Sequence, residues 1–167
     1  VALGVLRDQI GKGKKKLADG VMAGALTELL DLASARLKEE PQLEQLEALT
    51  RDLVFDLADE PAKAKLFLRL VLTPPDAPLA LATARSDHPV HRLMVLLIDW
   101  FARARKAGVI RHVRIRHALM DLIGMVLFHP AAAEQLVYLT GEDPHGEDER
   151  AKRADEVAAW VRAALAP

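Results

Sequence analysis

Four of the six histidines stand in two pairs whose spacing suits metal binding. His88 and His91 lie three residues apart, and His112 and His117 lie five apart, each pair near a predicted helix start. Zinc binds imidazole nitrogens, but a site needs further ligands, and no carboxylate is clearly placed beside either pair. The chain has no cysteine, which excludes thiolate ligands and disulfides. We therefore expect no metal site and interpret these histidines as capping or surface residues.

The sequence lacks the local motifs of the common catalytic sites. The stretch Gly11–Lys14 does not have the spacing of a phosphate-binding loop, and no His-Glu-x-x-His metal motif occurs. No Ser-His-Asp set or nucleophile elbow is apparent. We therefore expect a protein that is not an enzyme and needs no cofactor.

Several bulky apolar residues and one histidine are suited to line a pocket for a small hydrophobic molecule. Such pockets are mostly apolar and carry a few polar groups that orient the ligand. His91 lies next to the apolar stripe of its predicted helix and is the candidate for such a group. The same residue types also pack ordinary helical cores, so a core role stays open for each of them. The predicted ligand-binding residues are Phe55, Phe67, His91, Met94, Trp100, Met120 and Met125.

Asp121 is the one charged residue in an apolar segment that runs from Ala118 to Phe128. An isolated carboxylate in such surroundings costs several kcal/mol, about 3–5, unless it is paired or hydrogen-bonded. We expect a partner for it: Arg116, an arginine of a second subunit, or an amine of the ligand.

The composition favours a single all-α domain over 1–167. A chain of 167 residues can bury enough apolar surface to fold alone. Hydrophobic residues make up 51% of it and aromatic residues 4%, and the excess of Ala, Leu and Val favours helices over sheets. No run of about 18 apolar residues and no secretory signal pattern is present. We therefore expect no membrane association and a cytoplasmic location.

The formal net charge of −1 gives no overall electrostatic reason to bind nucleic acid. Local basic groups are more simply explained as solvated surface than as phosphate contacts. The candidates for such contacts are Lys12, Lys14, Lys15, Lys16, Arg111, Arg114 and Arg116.

Apolar residues recur at helical spacing, and prolines and glycines mark the ends of the segments. The first 40 residues form one long bent helix or two, with a kink near Gly11–Gly13, because glycine weakens a helix interior. Ser86–Pro89 offers a capping oxygen and a proline for a helix start, and Lys106–Gly108 is the matching stop. The other predicted helices cover 41–59, a segment from Pro61, 118–128 up to a break at Pro130, 131–140 and 148–166.

Two of these helices appear too apolar to be covered by one subunit. The segment from Ala118 to Phe128 is apolar on nearly every side, and the last helix has an apolar face. Two such helices from each of two subunits would form a four-helix bundle with twofold symmetry. The predicted dimer contacts are Leu119, Leu122, Ile123, Val126, Val157, Trp160 and Val161.

Five segments, taken in order, carry a family resemblance. They are 1–9 (VALGVLRDQ), 104–111 (ARKAGVIR), 119–128 (LMDLIGMVLF), 139–144 (LTGEDP) and 157–165 (VAAWVRAAL). The second is the most telling, because a glycine and an Ile-Arg pair join two predicted core helices there. In this order the segments resemble the C-terminal ligand-binding and dimerisation domain of TetR-family transcriptional regulators.

The resemblance implies a ligand-responsive regulator, most simply a repressor. A small hydrophobic effector in the helical core would alter operator binding by the homodimer, and 1–16 would begin the helix that connects to a helix-turn-helix head. That head is missing from 1–167, so no DNA-binding residue is assigned. The alternative is a helical-bundle protein, a small-molecule binder or an enzyme, that does not bind DNA.

Overall fold

The computed structural model describes residues 20–72, 87–141 and 146–167, and these ranges contain helices and no strand. The all-α expectation is therefore confirmed for them. The predicted kink near Gly11–Gly13 and the connecting helix over 1–16 lie outside the described residues. The helices are α1 (20–36), α2 (Leu43–Asp59), α3 (Pro61–Leu72), α4 (Pro89–Lys106), α5 (Ile115–Ala131), α6 (Ala133–Thr140) and α7 (Glu147–Leu165).

Both ends of α4 follow the predicted signals. Pro89 is its first residue, and the cap is His88, whose Nδ1 accepts a hydrogen bond from the Val90 N–H at 3.3 Å. A histidine nitrogen thus caps this helix, whereas the sequence predicts an oxygen from Ser86 or its neighbour. Beyond the other end Gly108 has a φ of 71°, the left-handed conformation that glycine adopts most readily.

The predicted break at Pro130 is also present. Pro130 lies in the last turn of α5, which ends at Ala131, and α6 begins at Ala133. The two helices are bent by 69° relative to each other. No single helix among the described residues is long and apolar enough to cross a bilayer, and α5 and α6 meet that test only as this bent pair.

The core is built around α2, which packs mainly against α7 and also contacts α3 and α5. Trp100 and Phe101 of α4 are fully buried, and their rings meet edge to face with centroids 5.4 Å apart. The indole N–H of Trp100 donates to Oε1 of Gln45 at 3.0 Å. Aromatic side chains of this size supply large apolar area, while the hydrogen bond satisfies the buried indole nitrogen.

Two clusters of ion pairs tie helices together at the surface. Nζ of Lys63 lies 2.8 Å from Glu60, 2.9 Å from Glu28 and 3.3 Å from Asp56, which joins α1, α2 and α3. Hydrogen bonds to these carboxylates, the one to Glu60 first, raise the pKa of Lys63 above its ordinary value. The pairs link three of the five helices that surround the apolar cavity described below.

The second cluster joins α2 to α7. Arg162 reaches Glu44 at 2.8 Å and Glu47 at 2.6 Å. The hydrogen bond from Arg162 lowers the pKa of Glu44 below its ordinary value of 4.5. Glu47 is buried, so Arg162 supplies the counter-charge that a carboxylate needs when it is removed from water.

Candidate binding cavities

An apolar cavity of about 160 Å³ lies between α1, α2, α3, α4 and α5. Each helix presents to it the residues that its apolar stripe turns toward the core. Every described residue that lines the cavity is apolar. They are Leu26, Leu29, Ala33, Leu49, Leu53, Leu57, Phe67, Leu70, Val71, Val90, Leu93, Met94, Leu97, Leu122, Ile123, Val126 and Leu127.

The cavity has a closed floor and an open rim. Ala33, Leu49 and Leu57 form the floor and are almost fully buried. Val71 is 43% exposed and Val90 is half-buried, and these residues stand at the C-terminal end of α3 and the N-terminal end of α4.

The chemistry of the lining limits what the cavity can hold. An engineered apolar cavity of about 150 Å³ in another protein stays dry and binds benzene, so a space of this size suits a molecule of that scale. A polar group brought inside would lose its hydrogen bonds to water and find no partner among the described side chains that line the cavity. The cavity therefore selects an apolar molecule or the apolar end of a larger one.

Two of the seven predicted ligand-binding residues line this cavity. Phe67 is buried on α3, and Met94 is half-buried on α4. His91 stands next to Val90 on the flank of α4 and is not among the lining residues. The orienting polar group expected from His91 is therefore absent from the described lining.

Four other predicted ligand-binding residues lie elsewhere. Trp100 is fully buried in the core against Phe101. Its indole N–H is already hydrogen-bonded to Gln45 and is not offered to a ligand. Phe55 is exposed on α2, and Met120 is exposed on α5. Met125 borders a different cavity. Most of the true lining is aliphatic, and its leucines and valines carry no sequence signal that separates them from ordinary core.

A second cavity of about 250 Å³ forms a groove between α5, α7 and the connection from α4 to α5. The N–H of Arg111 donates to the carbonyl of Leu165 at 2.8 Å, which fastens that connection to the end of α7. The groove has charged and apolar sides. Its lining residues are Phe101, Arg111, Val113, Arg114, His117, Ala118, Asp121, Leu122, Met125, Val161, Ala164 and Leu165.

The expectation that Asp121 needs a partner requires correction. Its side chain is exposed on the wall of the groove, where water solvates the carboxylate. It makes no ion pair with Arg116 or with any other residue that the structure describes. The sequence placed Asp121 inside an apolar segment, but the helix turns this position outward.

Five of the seven predicted dimer contacts lie in the core of a single subunit. A side chain that one subunit already buries has no surface left for a partner, so their assignment to the interface is replaced by one to the core. Val157 is 0% exposed and Val161 is 2% exposed, because both face α2 and its neighbours. Leu119, Leu122 and Val126 are buried on the inner side of α5.

The other two predicted contacts differ from these and from each other. Ile123 is half-buried and lines the apolar cavity, whereas Trp160 is 66% exposed on α7. Two apolar residues of α5 that were not assigned to an interface, Met120 and Phe128, are 54% and 61% exposed. Three large apolar side chains of α5 and α7 are therefore exposed, and only one of them, Trp160, belongs to the predicted set.

Within 20–72, 87–141 and 146–167, no group of three or more His, Asp or Glu side chains is placed to hold a metal ion. A scan of protein-family models found no match to the chain, and a search of curated proteins found no significant match.

Proposed function

We propose that the chain is the ligand-binding and dimerisation domain of a TetR-type, ligand-responsive transcriptional regulator, most simply a cytoplasmic repressor. The apolar cavity is the observation that carries the proposal. It joins five helices around a space large enough for a small apolar molecule. The proposal assigns no catalytic step to the chain.

The position of α1 supports a regulatory use of this cavity. Leu26, Leu29 and Ala33 of α1 line it, and α1 is the first described helix after the segment expected to connect to the head. A molecule in the cavity would therefore contact the helix that leads toward the DNA-binding unit. It changes operator affinity only if it binds the two arrangements of α1 unequally, typically by about 1–3 kcal/mol.

The outer face of α5 and α7 supports the homodimer that such a regulator needs. Phe128 and Trp160 are large apolar side chains that a lone subunit leaves mostly in water. Contiguous apolar surface marks interaction sites in soluble proteins, and we propose that these side chains belong to one such surface. A twofold contact would cover the same residues on both subunits at once.

Ligand binding is tested by thermal unfolding with benzene and with 1-octanol, using one cavity-filling variant and one matched control. Ala33→Leu places three more carbons in the cavity, whereas Ala35→Leu makes the same change on the exposed side of α1. A probe at ten times its dissociation constant stabilises the folded state by about 1.4 kcal/mol. We expect the parent and Ala35→Leu to gain about 3 °C or more in melting temperature. Ala33→Leu should gain little. No gain in any of the three proteins would contradict the cavity assignment.

Dimerisation is tested by one substitution on each side of α7. Trp160→Glu should leave the fold intact and shift the protein to a monomer on a sizing column, because it places a charge on the outer face. Val157→Glu should unfold the protein, because that position is fully buried. A monomeric parent, or an unchanged elution volume for Trp160→Glu, would exclude this interface.

The alternative, a helical small-molecule-binding protein or enzyme without DNA binding, shares the cavity and differs in what precedes Val1. A helix-turn-helix pattern directly upstream in the gene supports the regulator, and a start codon directly before Val1 supports the alternative. For the longer protein, release of operator DNA on addition of 1-octanol, measured by fluorescence anisotropy, is the decisive result. Operator binding that does not change with any cavity ligand would contradict the proposal.

A further inference from the structure

The connection between α4 and α5 is strongly basic in a chain that is close to neutral. Six Arg and Lys residues fall between Asp99 and Asp121, and no Asp or Glu does, although the whole chain has a formal charge of −1. They are Arg103, Arg105, Lys106, Arg111, Arg114 and Arg116.

Two of these arginines line the groove and have no acidic partner. Arg111 and Arg114 form no ion pair with any residue that the structure describes. Six of the twelve described arginines form ion pairs, four of them with a residue of another helix. The paired arginines are Arg36, Arg51, Arg103, Arg150, Arg153 and Arg162.

The start of α5 adds to the positive potential at the same place. Arg114 is its N-cap residue, and no side chain there accepts a hydrogen bond from the first N–H groups. The first turn also contains no acidic residue. The N–H of His117 donates to the carbonyl of Arg114, so the N–H groups of Ile115 and Arg116, with the positive end of the helix dipole, are left for an anion from outside the helix.

The opposite wall of the groove is apolar. Leu122 and Met125 of α5 face Val161 and Ala164 of α7 across it. The space of about 250 Å³ is larger than the benzene-sized cavity, so it can hold a longer small molecule. A protein partner instead needs a contact surface of about 800 Å² on each side. Asp121 and these apolar residues interrupt the basic surface, which disfavours the continuous phosphate contacts that a nucleic acid makes.

We propose that this groove binds a small amphipathic organic anion, with its carboxylate on Arg111 and Arg114 and its apolar body against Met125 and Val161. Arginine forms two parallel hydrogen bonds with a carboxylate, which fixes the anionic end. Asp121 lies near enough to oppose the anion, so its charge lowers the affinity. This site is separate from the apolar cavity and does not depend on its function.

The test is isothermal titration of the whole chain with sodium octanoate. Replacing both groove arginines, Arg111→Gln with Arg114→Gln, should weaken octanoate binding about tenfold or more, because charge-assisted hydrogen bonds are lost. The matched control is Arg69→Gln with Arg92→Gln, two exposed arginines outside the groove, and it should bind as the parent does. Asp121→Asn should tighten binding about twofold to threefold.

The arginine substitutions should weaken octanoate binding, and Asp121→Asn should tighten it. General damage to the fold would weaken binding in both variants, so the opposite effects identify anion recognition. Parent-like affinity in the double-arginine variant, weaker binding in Asp121→Asn, or no octanoate binding by the parent would each overturn the proposal. If the double variant unfolds, Arg114→Gln alone and Asp121→Asn decide the question by the same signs. Binding of uncharged 1-octanol, compared between the parent and Ala33→Leu, tests the apolar cavity separately. Either proposal can therefore be refuted while the other stands.

Discussion

The apolar cavity and the groove use the same helix in different ways. Toward the cavity α5 presents Ile123 and Leu127, and toward the groove it presents His117 and Asp121. The described lining of the cavity is apolar, so it distinguishes ligands by size and shape. In such a site one methylene group changes the binding free energy by roughly 1–3 kcal/mol. The groove distinguishes them by charge. Under the two proposals, a bundle of this size would bind two chemically unrelated molecules.

The largest difference between the two sites should be in the free energy of unfolding when an aspartate is introduced into each. Leu57→Asp places an unpaired charge on the floor of the cavity and should cost about 4 kcal/mol or abolish folding. Ala164→Asp places the same group on the half-open wall of the groove and should cost less than about 1 kcal/mol. Urea unfolding measures both changes. Equal costs would mean that the cavity floor is as open to water as the groove.

Added salt should change ligand affinity at one site and not at the other, and this difference should be smaller than the first. Raising sodium chloride from 50 mM to 500 mM should weaken octanoate binding to the groove severalfold, because exposed charges are screened. Benzene binding should stay constant or become slightly tighter, since no charge takes part. Titration of both probes at the two salt concentrations gives the comparison. A salt-independent octanoate affinity would place the anion outside the arginine site.

The smallest expected effect concerns the ion pair that holds one wall of the groove. The pKa of Glu44 is lowered by the hydrogen bond from Arg162, so this pair stabilises the folded protein above the ordinary pKa of 4.5. That contribution is lost as the pH falls through the lower pKa of the folded state. Glu44→Gln, which leaves Arg162 paired with the buried Glu47, should therefore be slightly less stable than the parent at pH 7.

The two proteins should approach each other in stability at low pH, which thermal unfolding from pH 7 to pH 3 measures. Benzene affinity at pH 7 should not change, because Glu44 does not line the apolar cavity. A constant stability difference across this pH range would show that the charge of Glu44 is not its cause.

Helix positions could be predicted well because their signals are local. Pro61 and Pro89 begin helices, Gly108 takes the left-handed conformation, and the chain bends just after Pro130. Each of these depends on one or two residues and their own backbone. For the same reason, the predicted ends of the last helix, 148 and 166, lie within one residue of those observed.

Site residues were harder to predict because they depend on which helices meet. The apolar pattern of α5 does not distinguish Leu119, which is buried, from Met120, which is exposed. Trp100 resembled a pocket residue until its partner Gln45, 55 positions away, was known. The groove has a signal in the sequence, the acid-free stretch between Asp99 and Asp121, but the sequence alone favours solvated surface for its arginines.

Leu122 borders both spaces. Its side chain therefore forms part of the wall between the two compartments, and a guest that displaces it would enlarge one at the expense of the other. Two molecules bound at once would then influence each other sterically. Leu122→Ala would thin this wall and weaken the mechanical separation of an oily interior from a charged mouth.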